Sequence, residues 1–221
     1  MKRIIIAILI SWSFIAFGQK EIVEGVIIFK QAMSSDNEQM NAQLQMVGDM
    51  MTTTYFKENK SRTELLNPMT GDVVSIFDTE SSQMFMSMNS PMAGKIYTLN
   101  AMPGSEELPE GLKIDKGKET RNILGYQCQQ YLVQFMQGAD QMNLEMYVTP
   151  KIKALNKETL QYLGNFDGGF PLYIKLDSKI GAFQIKMIQE ATDLRAETVE
   201  DSKFNMAAPD GYKKVDSIPG M

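Results

Sequence analysis

Histidine is absent from this 221-residue chain, and cysteine occurs once. Without histidine the chain lacks the commonest general base, the usual zinc ligand and any Ser-His pairing. The single cysteine, Cys128, has no partner for an internal disulfide, so stability has to come from a buried core. Its neighbours alternate as in a strand, which predicts a small buried hydrophobe rather than a reactive thiol. Basic residues are in deficit: 22 Lys and Arg against 27 Asp and Glu, a formal charge of −5. That balance speaks against nucleic acid and anionic membrane surfaces as partners, because phosphate binding needs a basic face. Long apolar runs are missing as well. The longest, Ile4–Phe17, falls short of the roughly 18–20 residues that span a bilayer. There is no internal repeat and no low-complexity tract.

What is present begins with that short apolar run. Met1-Lys2-Arg3 is a basic start, Ile4–Phe17 is apolar, and Ala16 and Gly18 are small residues ahead of Gln19. This is the pattern of a secretory signal peptide over residues 1–18. Bacterial lipidation needs a cysteine as the first mature residue, and none stands there. The expectation is an exported protein, periplasmic first and extracellular second, with no stable membrane anchor. Residues 19–221 are then one β-rich domain, more acidic once Lys2 and Arg3 are removed.

Glu21–Gln31 is rich in β-branched residues and predicts a strand, with Gly25 marking a bulge or a close backbone approach. Ser35 and Glu38 make a capping box. Met40, Leu44, Val47 and Met51 then recur at helical spacing, with Met46 and Met50 widening the stripe. Strand-like runs follow at Thr52–Lys57, Ser61–Leu66, Val73–Phe77, Gln83–Met88 and Lys95–Leu99, separated by polar turns as in an antiparallel meander. Residues 101–117, with their prolines, glycines and glutamates, read as a loop. Thr120–Phe135 and Leu144–Val148 resume strand character. Thr149-Pro150 opens a short helical segment that Asn156 caps again and Gly164 ends. Phe170–Leu176 and Phe183–Leu194 complete the sheet.

Methionine is the other oddity, with 18 in the chain. Met84, Met86 and Met88 alternate along one strand and so present three thioethers to one face. Two chemistries fit. Soft thioethers select Cu(I), which makes these three a candidate metal set. Flexible, polarizable methionines also line cavities for apolar ligands, and the stripe Met40, Leu44, Met46, Val47, Met50 and Met51 can face the same groove. Arg62 and Glu64 share a strand face and can pair.

Several segments carry a family likeness: Tyr55-Phe56-Lys57 with Asn59-Lys60-Ser61-Arg62-Thr63-Glu64, Ile76-Phe77-Asp78 before Met84, Ile123-Leu124-Gly125-Tyr126-Gln127-Cys128, and Pro209-Asp210-Gly211-Tyr212. On these, residues 21–215 resemble an exported bacterial family of unknown function, similar in fold to the LolA/LolB-like periplasmic lipoprotein carriers. The resemblance implies an α+β, mainly β fold: a curved antiparallel sheet forming an incomplete barrel, with one long and one or two short helices packed on it. It also implies a hydrophobic cavity. The carriers engage cargo through a basic residue there, for which Arg62 is the nearest candidate. The leading expectation is a non-enzymatic binding domain without a cofactor, holding a lipid, an acyl chain or a lipidated peptide in a Met-lined groove. The alternatives are Cu(I) binding through Met84, Met86 and Met88, and an interaction domain with a filled core and no ligand.

Overall fold

A computed structural model of the chain describes residues 21–67, 71–102, 108–138, 140–154, 163, 166–180 and 183–218. The signal peptide over residues 1–18 lies outside the described residues. The fold is mainly β. A single sheet takes the order β12-β6-β5-β4-β3-β2-β1-β11-β10-β9-β8-β7, with β12 and β7 at its open ends, so it does not close into a barrel. The strands are β1 (Glu24–Ser35), β2 (Met50–Lys57), β3 (Lys60–Leu65), β4 (Asp72–Asp78), β5 (Gln83–Ser90), β6 (Gly94–Ala101), β7 (Lys113–Ile123), β8 (Tyr126–Gln137), β9 (Asp140–Thr149), β10 (Phe170–Ile180), β11 (Phe183–Arg195) and β12 (Lys213–Lys214). All pairings are antiparallel except β12 on β6.

Local chemistry builds the meander. In the β4–β5 turn the Asp78 carboxylate accepts from the Glu80 and Ser81 N–H groups at 2.9 and 3.3 Å, an Asx turn. The β7–β8 hairpin turns on Leu124 and Gly125, both at positive φ (51° and 86°), while Asn122 Oδ1 accepts from the Gly125 N–H at 3.1 Å. Positive φ at both central residues is the two-residue hairpin geometry that matches strand twist. This corrects the reading of Thr120–Phe135 as one strand. It also places residues 113–117 of the expected loop inside β7.

The seam between β1 and β11 joins the β2–β6 half to the β7–β10 half. Gly25 sits in it. A Cβ added there would lie 2.3 Å from the Arg195 carbonyl oxygen, so the expected close backbone approach is present. Gly25→Ala forces the two strands apart and is expected to cost about 2–3 kcal/mol, the upper part of the range for overpacking. Urea denaturation of both proteins measures it.

One helix follows β1: α1 (Glu38–Val47). Its N-cap is Asn37, whose side chain accepts from the Met40 N–H at 2.9 Å, rather than Ser35. Ser35 instead holds the turn, its Oγ accepting from the Asn37 N–H at 3.2 Å. Gly48, at φ 72°, ends the helix. Met50 and Met51 therefore belong to β2 and not to a helical stripe. Pro150 opens no helix in the described residues. Residues 150 and 151 form a turn, and Ile152 bridges Ile22 in parallel. Most of the expected segment up to Gly164 lies outside the described residues.

Cross-strand partners share a face, and so do alternate residues along a strand. On the first face one row runs Val133–Leu144–Leu176–Met187–Met33 across β8, β9, β10, β11 and β1. On the same face of the other half, Met86–Ser75–Thr63–Thr54–Ile27 runs from β5 back to β1. The second face carries Leu99–Phe85–Ile76–Arg62–Tyr55–Val26. Here the C-terminal segment lies over the sheet, with Val199 and Phe204 buried against Val26, Ile76 and Phe85. Polar anchors hold it: Lys57 Nζ to Asp201 at 2.8 Å, Arg62 Nη1 to the Lys203 carbonyl at 3.1 Å, and the Val199 N–H to Glu24 Oε1 at 2.8 Å.

Candidate functional site

The first face of the β8–β11 half borders a half-open apolar cavity of about 430 Å³. Phe135, Met142, Leu144, Ile174, Leu176 and Met187 line its sheet side. These residues come from four adjacent strands in regular register, so strand alternation alone delivers them to one place. Pro109, Met136 and Leu163 line it as well. The Met136 N–H donates to the Glu110 carbonyl at 2.8 Å, which ties the Pro109 segment to β8. Leu163 is 2 % exposed and packs with Phe166, whose ring meets Tyr131 edge-on at 5.0 Å. Among the described lining residues the polar ones are Gln137 and Gln189, and none is charged.

Apart from Asp140 at the start of β9, the charged residues of these strands fall on the second face by alternation. Gln141, Asn143, Asp177 and Lys186 alternate with the cavity residues and line a polar cavity of about 730 Å³. Lys175 pairs with Asp177 at 2.9 Å. Further along, Tyr147 is fully buried at the centre of a polar cluster. Its hydroxyl donates to Glu119 Oε2 at 2.9 Å, lies 3.1 Å from Glu145 Oε1, and accepts from Gln130 Nε2 at 3.3 Å. Gln130 also donates to Glu145 at 2.7 Å. The Arg121 guanidinium lies 4.0 Å above the Tyr147 ring and 4.9 Å from that of Tyr173. Burial, then the two carboxylates, pushes the Tyr147 hydroxyl up to about 12. Gln130, Glu119, Glu145 and Tyr147 are thus joined in one hydrogen-bonded cluster under the Arg121 guanidinium.

The residues singled out from sequence scatter relative to the apolar cavity. Met84, Met86 and Met88 do share one face, half-buried, and it is the first face. They lie on the β2–β6 half, beside Phe77, Ser75 and Val73 on β4 and Asn100, Thr98 and Ile96 on β6. Those neighbours add no sulfur donor for a copper ion. Met40, Leu44 and Val47 are half-buried on α1, and Met46 is 74 % exposed. No α1 residue is buried, and none is among the described cavity residues. Met50 and Met51 sit on β2, with Met51 exposed. Arg62 is on the second face, bonded to Glu64 at 2.6 Å and to the C-terminal segment. It serves as an anchor and does not point at the cavity. Sequence reasoning missed Met136, Met142 and Met187. Met142 and Met187 carry only ordinary strand alternation as a signal, and Met136, next to Phe135 and opposite Gln141, carries none for this face.

Cys128 is completely buried, and burial raises its thiol to about 11. A thiol so shielded forms little thiolate at neutral pH. Labelling with a maleimide is expected to be at least about 100-fold slower in the folded protein than in denaturant, consistent with the fractions of such thiolates. Rapid native labelling contradicts this placement. Among the described residues no helix is long and apolar enough to cross a membrane.

No protein-family model matches the chain, and no curated protein does. Among solved structures it is similar to two described as PNGF-II, in the P21 and C2 space groups. Identities are 13% and 14%, each with a TM-score of 0.46, over 88% and 86% of this chain. The matches cover 31% of those chains, so this one spans about a third of their length.

Proposed function

We propose that this protein is a non-enzymatic binding domain that holds a hydrophobic ligand on the first face of its sheet. The observation that carries the reading is the apolar cavity between Phe135, Met142, Leu144, Leu176 and Met187. Its volume falls within the ~300–1,000 Å³ of small-molecule sites. An open apolar space favours a binder over an interaction domain with a filled core. Three flexible methionines in the lining, Met136, Met142 and Met187, suit a ligand of variable shape. Burying an acyl chain there supplies about 0.8 kcal/mol per CH₂ group. A LolA/LolB-like carrier role and export to the periplasm are part of this proposal, with the groove built from different methionines than the strand and helix sets first suggest. Nile red added to delipidated protein tests it. Saturable fluorescence enhancement at one site supports binding, and no enhancement above that of a packed control protein removes it.

A further inference from the structure

Resting on that reading, we propose that the occupant is a single acyl chain with a neutral hydrogen-bonding head group, and that the free fatty acid is rejected. The described lining offers carboxamides but no charge. Gln189 borders the cavity and pairs with Gln31 across the β11–β1 seam, on the same face. A carboxamide both donates and accepts, so this pair matches an ester, an amide or a hydroxyl. One row further, on β2, Thr52 Oγ1 is buried without a hydrogen-bond partner among the described residues, opposite Phe29.

A carboxylate entering the same place meets no counter-charge among those residues. The cations on these strands lie on the second face, and Lys175 there is already paired with Asp177. Burying an unpaired ion is far more costly than burying a neutral group that keeps its hydrogen bonds. The volume of about 430 Å³ lies toward the small end of ligand sites, which fits one chain better than a diacyl lipid.

Displacement of Nile red by hexadecanol, palmitate and hexadecyltrimethylammonium, each below its aggregation threshold at neutral pH, tests the proposal. Hexadecanol is expected to compete at concentrations at least ~10-fold lower than either ion, a difference of about 1.4 kcal/mol. Palmitate competing as well as the alcohol, or better, overturns the head-group claim while leaving the hydrophobic site standing. If Nile red itself does not bind, both fall. Gln189→Lys locates the head group: palmitate is expected to gain at least ~10-fold relative to hexadecanol. An unchanged ratio in a folded variant overturns the placement at Gln189.

Discussion

Leu176→Arg is expected to reduce hydrophobic-ligand affinity at least ~100-fold, about 2.7 kcal/mol, while the sheet still forms. Leu176 stands mid-row on the first face, with Leu144 on one side and Met187 on the other. It is half-buried, so a longer side chain has a route toward solvent in the empty protein. With ligand present the guanidinium has to be desolvated against an apolar chain, with no carboxylate among the described lining residues. Met142→Glu, one row away, is expected to act in the same direction. Met84→Arg lies on the same face but on the other half of the sheet, and is expected to change affinity less than ~2-fold. Titration with Nile red measures all three, with circular dichroism checking that each has folded. Wild-type affinity in folded Leu176→Arg removes the cavity as the site.

The second large effect concerns the scaffold. Tyr147→Ala is expected to destabilise the protein by about 3–5 kcal/mol, the usual cost of deleting a buried aromatic ring. The ring packs edge-on to Tyr173 at 5.7 Å, carries Arg121 above it, and anchors three polar side chains. Tyr147→Phe keeps the ring and loses the hydroxyl, for about 1–2 kcal/mol. The same hydroxyl sets an alkaline limit. Its pKa is about 12 in the folded protein against 10.0 for an ordinary tyrosine. The unfolded chain therefore loses this proton first as pH rises. The stabilisation is complete below pH 10, shrinks between pH 10 and 12, and is gone above that range. Denaturant midpoints measured across this range are expected to fall less steeply in Tyr147→Phe than in the wild type. Equal slopes contradict the assignment to Tyr147.

Much of the sheet was legible because a half-buried strand writes its alternation into the sequence. Met50–Lys57, Gln83–Ser90 and Gly94–Ala101 lie within a few residues of where their patterns put them. The hairpin at Ile123–Tyr126 was not legible for a specific reason. Its turn uses Leu124 at φ 51°, and leucine carries no turn signal, although Asn122 and Gly125 on either side of Ile123-Leu124 do. Helical spacing in the sequence continues to Met51, while the helix itself stops at Gly48, a residue that favours helix ends. The candidate site was hardly legible. Phe135, Leu144, Leu176 and Met187 are each ordinary strand residues, and only the non-local register of β8 to β11 gathers them. Arg62 and Glu64 paired as their spacing predicts, but which face they occupy depends on the C-terminal segment that covers them.

Native mass spectrometry of the protein, purified gently without detergent, tests the central claim most directly. The account predicts a bound lipid of one acyl chain on the wild-type protein, released on activation and absent from Leu176→Arg. Bare wild-type protein that also takes up no hexadecanol on incubation would contradict it.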